Sequence, residues 1–393
     1  MKVALLCSGL GRVRRGHEVF ARDLYSLLRN DIDMTLFKGG GDAVPGEVVV
    51  EHVPRDSPDL DGMHLAASPR WIEAAKGVER MRVEGETFAY GSLGRLLAGD
   101  FDVIHCLEQE VCGVLYAQRH LFRRTPRFLF SNGGALPAAD LPPCDFVQEH
   151  SEYNLQRSDR RRAFLIPHGV DTGRFHPGPG ARFRAEHGIP ADAMVVASVG
   201  TICYWHKRMD YVIREVAAVP DAWLVIAGQE SPDAPAIREL GQRLMSGRIL
   251  ITSLPHEQLP DLYRAADVFT LGSLFETFGI VYIEAMASGL PVICTDHPNQ
   301  RGIVKVGRFV DMSREGSLTR ELRSTPFPEW KALGARSVET ARKYYSLEQL
   351  RPTYVERYRA IANAPIRLPQ YSWRTSVLAN AVSLMTSVRR KLH

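Results

Sequence analysis

The sequence predicts an α/β protein made of two doubly wound domains that face each other across a cleft. Its 393 residues suffice for two domains with separate cores. Short β-branched runs alternate with longer helical patterns, which is typical of parallel sheets with helices on both faces. A proline- and glycine-rich stretch, "RFHPGPGARFRAEHGIPADA" at 174–193, separates two such series. We therefore expect an amino-terminal domain over 1–176, a second domain over 177–345, and a returning helix with a basic tail over 346–393.

The candidate strands are short apolar runs. Because the carboxyl ends of parallel strands share one edge of a sheet, the loops of two facing domains are expected to line one cleft. The first series is KVALL, MTLF, EVVVEHV, FDVIHC, RFLF, FVQE and AFLIP, and the second is MVVASVG, WLVIAG, RILIT, DVFTLG and PVICTD.

The net charge and the spacing of the cysteines bear on the partners and the compartment that the sequence predicts. The net charge is +4, but residues 365–393 contain five basic residues and no acid, which leaves the rest of the chain at −1. The basic feature is therefore a tail, and no nucleic-acid partner is predicted. The six cysteines are scattered without metal-ligand spacing and are interpreted as buried thiols of a cytoplasmic protein. We see neither a signal peptide nor an apolar run long enough to span a membrane.

The opening segment "LLCSGLGRVRRGHEVF", residues 5–20, resembles a dinucleotide-binding turn but fails its fingerprint. Gly9 and Gly11 supply the first two glycines, whereas the third position is Arg14 and the next glycine, Gly16, comes too late. A strand that runs through glycines into a helix still offers an anion site. We therefore expect phosphate there without a dinucleotide cofactor.

The most informative segment is "SLFETFGIVYIEAMA", residues 273–287. Glu276 falls in the turn after a buried strand, and Glu284 falls about two turns into the next helix if that helix starts at Thr277. The backbone N–H groups of Thr277, Phe278 and Gly279 are then expected to face an anion. A carboxylate in the turn can accept hydrogen bonds from sugar hydroxyls, and one on the helix can bind a ribose diol.

This pair of glutamates resembles the glutamate-x₇-glutamate signature of the family 4 retaining glycosyltransferases, which have the GT-B fold. Other segments fall in that family's order: "LIPHGVDTGRFHP" at 165–177, "ASVGTICYWHKRMDYVIREV" at 197–216, and later "LVIAGQ", "SLPHEQLPDLYRAADVF" and "ASGLPVI". The resemblance extends over about 1–363. It implies two Rossmann-like domains with a nucleotide-sugar cleft between them, an acceptor domain over 1–176 and a nucleotide-sugar donor domain over 177–345.

The resemblance also implies an activity and a set of site residues. It predicts a retaining, metal-independent transferase that moves a hexosyl unit from a UDP- or GDP-linked sugar to a hydroxyl acceptor, such as a lipid-linked or polysaccharide precursor. No cofactor is expected, and the acid pairs Asp31/Asp33 and Asp59/Asp61 are interpreted as surface charge. The expected catalytic residues are Glu276, Lys207 and Asn132, and the expected donor-binding residues are Gly16, Thr201, Arg208, Thr277, Phe278, Gly279 and Glu284.

Two residues depart from the family pattern and keep alternatives open. Thr201 stands where the family often has an arginine, and Asn132 stands where it usually has a histidine. A nonenzymatic nucleotide-sugar-binding protein is the alternative that these departures favour, if they signal lost catalysis. A nucleotide-sugar epimerase of the same fold, which would act on the donor alone, is the alternative among enzymes. His105, close to a strand end, is interpreted as a structural histidine at least as readily as a cleft residue, and the same holds for His168 and His206.

The tail "WRTSVLANAVSLMTSVRRKLH", residues 373–393, carries an apolar helical stripe followed by Arg389, Arg390 and Lys391. Such a segment fits peripheral contact with an anionic membrane at its inner face, and it fits equally a helix packed on the protein's own surface. Both interpretations stay open.

Overall fold

Two parallel sheets, one per domain, form the body of the protein. The computed structural model describes residues 1–13, 16–63 and 72–366. Arg14, which breaks the dinucleotide fingerprint, and the basic tail beyond 366 lie outside these residues. Every strand pairing within the described residues is parallel. The two facing doubly wound domains predicted from the sequence are therefore confirmed.

The amino-terminal sheet has the strand order β3-β2-β1-β4-β5-β6-β7. Its central strands are buried on both faces, as continuous apolar runs predict. Its strands are β1 (Lys2–Cys7), β2 (Asp33–Lys38), β3 (Glu47–Val49), β4 (Val103–Cys106), β5 (Arg127–Ser131), β6 (Phe146–Glu149) and β7 (Ala163–Leu165). The helices are α1 (Gly16–Leu28), α2 (Ile72–Ala98), α3 (Gln109–Ala117) and α4 (Glu152–Arg157).

The second sheet has the order β10-β9-β8-β11-β12-β13. Its strands are β8 (Val195–Val199), β9 (Trp223–Ala227), β10 (Ile249–Thr252), β11 (Val268–Thr270), β12 (Val292–Thr295) and β13 (Arg308–Val310). The helices that follow the first domain are α5 (Ala181–Glu186), α6 (Met209–Ala217), α7 (Ala234–Met245), α8 (Leu259–Ala265), α9 (Ile280–Ala287), α10 (Pro298–Val304), α11 (Ser317–Ser324), α12 (Phe327–Tyr345) and α13 (Leu347–Asn363).

The chain crosses between the domains twice, and the two crossings pair with each other. Val170 N donates to Tyr345 O at 2.7 Å, and Leu347 N donates to Val170 O at 3.0 Å. Helix α13 then packs on the amino-terminal domain, where Tyr354 and Tyr358 are buried in the same core as α1. The expected boundary at 176/177 falls in the connection between the two sheets.

His105 in β4 shows how the returning helix is held. Its Nδ1 lies 2.6 Å from the hydroxyl of Tyr358, and its Nε2 lies 2.7 Å from Ser131 Oγ. Burial lowers the pKa of His105 to about 3, so the ring is neutral. Both nitrogens are engaged, which supports the structural interpretation of this histidine.

All six cysteines are buried and free. Within the described part of the chain, no helix combines the length and the apolar character needed to cross a bilayer.

Two further buried histidines stack on each other where β6 meets the interdomain connection. The rings of His150 and His168 are nearly parallel, with centroids 3.8 Å apart. Phe20 of α1 meets both rings edge-on. Burial is the main cause that lowers the pKa of His150 to about 3 and that of His168 well below its ordinary value. Both rings are therefore neutral in the folded protein.

This stack predicts an acid-sensitive stability. An unfolded histidine binds a proton below its ordinary pKa of about 6.5, whereas folded His150 does not until the pH approaches 3. Stability is therefore lost as the pH falls from about 6.5, by about 1.4 kcal/mol per pH unit for each such group. Between pH 7 and pH 5, the free energy of unfolding is expected to fall by about 2 kcal/mol less in His150→Phe than in the wild type. Urea unfolding at both pH values measures this difference.

The matched control is His120→Phe, because His120 is exposed. It should follow the wild-type dependence on pH. If the free energy of unfolding fell equally with pH in His150→Phe and in the wild type, this would show that His150 is protonated in the folded protein.

Candidate active site

Two helix amino termini meet at the cleft. Gly16 begins α1, and a Cβ at this position would lie 3.5 Å from Cδ1 of Ile280, which begins α9. Among the described residues, the backbone N–H groups of Thr277, Phe278 and Gly279 donate no hydrogen bond. Both helix dipoles place positive potential here, and these free donors add to it. The arrangement suits an anion such as a diphosphate.

Beside these helix ends, Glu276 and Lys207 form a largely buried ion pair. Lys207 Nζ donates to Glu276 Oε1 at 2.6 Å, and the side chains are 15% and 6% exposed. Ser273 Oγ donates to the same oxygen at 2.6 Å. His206 Nε2 lies 3.4 Å from Glu276 Oε2. Residues from the loops after β8 and β11 thus meet at one carboxylate.

The charge state of Glu276 follows from these neighbours. Burial alone would raise its pKa, but the hydrogen bond from His206 and the charge of Lys207 outweigh burial and lower the pKa to about 2. Glu276 is therefore ionised at neutral pH. A carboxylate held in this way can stabilise positive charge on a sugar, and an ammonium group beside it can stabilise negative charge on a phosphate.

Buried amides hold the backbone of the Glu276 turn. Asn299 Nδ2 and Gln300 Nε2, both on α10, donate to Glu276 O at 2.7 and 2.8 Å. Across the cleft, Asn154 Nδ2 of α4 donates to Thr277 O at 3.2 Å. Side-chain amides from both domains thus bind the carbonyls of the turn and hold its backbone in place.

Glu284 is 3% exposed and has partners for both carboxylate oxygens. His256 Nε2 lies 2.6 Å from Oε1, and the hydroxyl of Tyr263 donates to Oε2 at 3.0 Å. Burial would lower the pKa of His256, but its hydrogen bond and charge interaction with Glu284 raise it overall. Arg174, from the interdomain connection, donates to the carbonyl of His256. Through His256, the position of Glu284 is thus linked to the interdomain connection.

Glu284 also lines a cavity of about 440 Å³ between the domains, together with Asp23 of α1 and Arg174. Burial is the main reason why the pKa of Asp23 is raised to about 6. The second glutamate of the motif therefore borders open space large enough for part of a nucleotide.

The expected helix start at Thr277 is wrong. Helix α9 starts at Ile280, and Gly279 precedes it with φ +79, a left-handed conformation that favours glycine. Phe278 is only 3% exposed because its ring packs against His168 and belongs to the core. Thr277, Phe278 and Gly279 can therefore serve a ligand through their backbone.

Arg208 and Thr201 are placed differently from Lys207. Arg208 Nη1 donates to the carbonyls of Gly272 and Met312 at 3.1 and 2.6 Å, and its guanidinium lies over the ring of Tyr211. These contacts give it a structural role that competes with phosphate binding. Thr201 is exposed on the loop after β8. Lys207 therefore carries the cationic side chain that points to Glu276.

Asn132 does not have the free amide expected of a sugar-binding residue. Its Nδ2 donates to Leu136 O and to Glu149 Oε1, each at 2.8 Å, and its Oδ1 accepts from Leu136 N at 2.8 Å. The side chain is 1% exposed. Since both amide hydrogens are used, Asn132 closes its own turn, and we omit it from the catalytic set below.

Sequence reasoning missed His206 as a partner of Glu276, and it also missed Ser273, Asn154, Asn299 and Gln300. His206 precedes Lys207 directly, and Ser273 lies three residues before Glu276, so spacing alone could have suggested both. Asn154 belongs to the other domain, and no local signal points to it. Within the described residues, no group of three or more His, Cys, Asp or Glu side chains is arranged to hold a metal ion.

Part of the chain is similar in sequence to known proteins. Residues 181–321 match the family model described as glycosyl transferases group 1. D-inositol 3-phosphate glycosyltransferase from Mycolicibacterium smegmatis is 37% identical over 155 residues, covering 37% of this chain and 35% of the relative. The enzyme of the same name from Nocardia farcinica is 34% identical over 196 residues, covering 46% and 41%. The matched part spans less than half of either relative.

Solved structures resemble nearly the whole chain. Sucrose-phosphate synthase from Thermosynechococcus elongatus aligns with TM-score 0.74 at 20% identity, covering 92% of this chain and 98% of that one. HepE from Anabaena, solved with UDP and glucose, aligns with TM-score 0.71 at 16% identity, covering 92% and 100%. At these identities the likeness establishes the fold. Residues 181–321 therefore resemble the group 1 glycosyl transferases in sequence, and the chain has the GT-B fold.

Proposed function

We propose that this protein is a retaining glycosyltransferase that moves a hexosyl unit from a nucleoside diphosphate sugar to a hydroxyl acceptor. The observation that carries the proposal is the Lys207–Glu276 pair at 2.6 Å beside the two helix starts at Gly16 and Ile280. This arrangement combines one carboxylate for a sugar, one ammonium group for a phosphate, and backbone donors for the rest of a diphosphate.

The leaving diphosphate gains negative charge as the glycosidic bond breaks. Lys207 and the free N–H groups of Thr277, Phe278 and Gly279 meet that charge, so no metal or other cofactor is required in this proposal. Because Lys207 is held by Glu276 here, donor binding has to move its ammonium group toward the phosphates while Ser273 and His206 keep the carboxylate in place.

Glu276 stabilises positive character on the donor sugar, and Glu284 holds the ribose diol. For a retaining reaction, the leaving phosphate oxygen takes the acceptor proton on the face from which it departs. This step needs no separate protein base. UDP is the first donor nucleotide to test, because the neighbour HepE was solved with UDP-glucose, and GDP is the second. A lipid-linked or polysaccharide precursor, reached from the cytoplasmic side, is the acceptor class that we propose.

A melting experiment tests the donor assignment. UDP or GDP, with the corresponding hexose conjugates, is expected to raise the melting temperature, since a ligand at about 100 times its Kd adds roughly 2.7 kcal/mol of stability. Uridine and guanosine are the matched controls, because they lack the diphosphate that the helix starts would bind. Equal shifts with nucleoside and nucleoside diphosphate would contradict a diphosphate site.

Product analysis separates transfer from the alternatives. Release of nucleoside diphosphate that depends on an acceptor supports a transferase; conversion of the donor alone indicates an epimerase, and binding without turnover indicates a sensor. The transfer reaction should persist in excess EDTA. Loss of activity in EDTA that Mg²⁺ or Mn²⁺ restores would contradict the metal-independent mechanism.

A further inference from the structure

The loop after β8 presents aromatic side chains to solvent next to Glu276. Trp205 is 82% exposed, and the adjacent Tyr204 is 37% exposed. The ring of His206 lies 5.2 Å from that of Trp205 at an angle of 33°. Leu274, two residues before Glu276 in the opposite loop, is 47% exposed. Exposed apolar side chains thus lie within a few residues of His206, Lys207 and Ser273, the residues that contact the Glu276 carboxylate.

This loop is tied down on both sides of Trp205. Before it, Ile202 and Cys203 are buried, and Tyr204 N donates to Asp233 Oδ2 at 3.0 Å. After it, His206 and Lys207 contact Glu276. An indole held out by an anchored backbone loses little further conformational entropy when a ligand covers it, which is the property that suits Trp and Tyr to recognition.

We propose that Trp205 is the stacking platform for the acceptor, and that the acceptor presents the C–H face of a six-membered sugar or polyol ring. The inference rests on the proposed function. In the proposed function the donor phosphates and sugar occupy Lys207 and Glu276. The exposed Trp205 ring lies 5.2 Å from the ring of His206, which itself contacts Glu276, so it offers an aromatic face close to the reacting end of the donor. An apolar ring face over indole buries area at low entropic cost.

Stacking makes Trp205 a specificity residue for the acceptor, separate from the donor machinery. Trp205→Ala is expected to raise the KM for ring acceptors about 10-fold or more. The KM for the donor and the slow hydrolysis of the donor by water should stay unchanged. Trp205→Tyr keeps an aromatic face and should restore most of the acceptor affinity.

The assay uses myo-inositol and the methyl α- and β-D-hexopyranosides as probe acceptors, with protein saturated in the donor that the melting experiment identifies. Phe327→Ala is the matched control, because Phe327 is also an exposed aromatic residue, 51% exposed at the start of α12. Binding is followed in parallel by tryptophan fluorescence in the presence of UDP or GDP. When tryptophan is excited selectively, the fluorescence change that a probe acceptor causes in the wild type should be absent in Trp205→Tyr.

The outcomes distinguish this inference from the proposed function. If the wild type neither binds nor hydrolyses a nucleotide sugar, the proposed function fails. If the wild type acts on the donor but no ring probe binds, or if Trp205→Ala leaves the acceptor KM unchanged, the platform is wrong while the transferase stands. If Trp205→Ala instead weakens flotation with anionic vesicles and leaves the probes unaffected, Trp205 is a membrane contact and the proposal is overturned.

Discussion

Replacing Lys207 by methionine is expected to lower kcat about 10²- to 10³-fold, the cost of losing one preorganised group that stabilises transition-state charge. Lys207 is the described cationic side chain bound to Glu276, at 2.6 Å. Arg208 cannot readily replace it, because its Nη1 is held by the carbonyls of Gly272 and Met312. Methionine keeps a long unbranched side chain and removes the charge. Single-turnover rates at saturating donor measure the effect directly.

The same variant has a second consequence that a general loss of folding would not imitate. The pKa of Glu276 is about 2 partly because of Lys207, so without the ammonium group it should rise. Glu276 has a lowered folded pKa, so its stabilising contribution is present above the unfolded value of about 4.3 and is lost as the pH falls toward 2. In the variant, that contribution should be smaller and should be lost at higher pH. Acid titration of the melting temperature measures this change.

Lys331→Met provides the control, because Lys331 is exposed on α12. It should leave both kcat and the acid titration unchanged. A Lys207→Met protein that folds and turns over at the wild-type rate would remove the lysine from the mechanism.

The fold could be predicted because buried strands leave a recognisable pattern of apolar residues in the sequence. Each of the predicted apolar runs contains a strand, and the central strands are apolar along their whole length because both of their faces are covered. β13 was missed because its three residues, Arg308–Val310, carry an arginine and are only half-buried at the sheet edge.

The site was predictable where its chemistry is local in sequence. Glu276 and its turn follow one buried strand, and Lys207 lies in the loop after another. Because the carboxyl ends of parallel strands lie at the same edge of the sheet, these two side chains come together. The start of α9 was misplaced because Gly279 adopts a left-handed conformation. Sequence pattern counts Thr277 and Phe278 as helical, whereas the packing of Phe278 against His168 holds that segment out of the helix.

Asn132 illustrates the opposite case. Its position at the end of β5 is what the sequence predicts for a cleft residue, and its amide matches sugar hydroxyls in chemistry. What decides its role is Glu149, on the neighbouring strand β6, whose carboxylate takes one of its two amide hydrogens. Such a contact depends on the register between strands, and local sequence does not encode it.

Replacing each glutamate of the motif by glutamine should separate chemistry from binding. Glu276 contacts Lys207, Ser273 and His206 at the expected reacting end of the donor, whereas Glu284 is joined to His256 and Tyr263 beside the interdomain cavity. Glu276→Gln should lower kcat about 10- to 100-fold with a modest change in donor affinity, because the lost charge matters most in the transition state. Glu284→Gln should chiefly raise the donor KM by a similar factor.

The size of both effects follows from one charge-assisted hydrogen bond, about 1.5–3 kcal/mol, or roughly one to two decades. Isothermal titration with the nucleoside diphosphate should show weaker binding for Glu284→Gln and nearly unchanged binding for Glu276→Gln. Glu257→Gln, an exposed carboxylate next to His256, is the control and should behave as wild type. Since glutamine preserves size, both variants are expected to fold, which the melting curve checks. Wild-type turnover in folded Glu276→Gln would mean that this turn does not face the reacting sugar, because no other described carboxylate is held so close to Lys207.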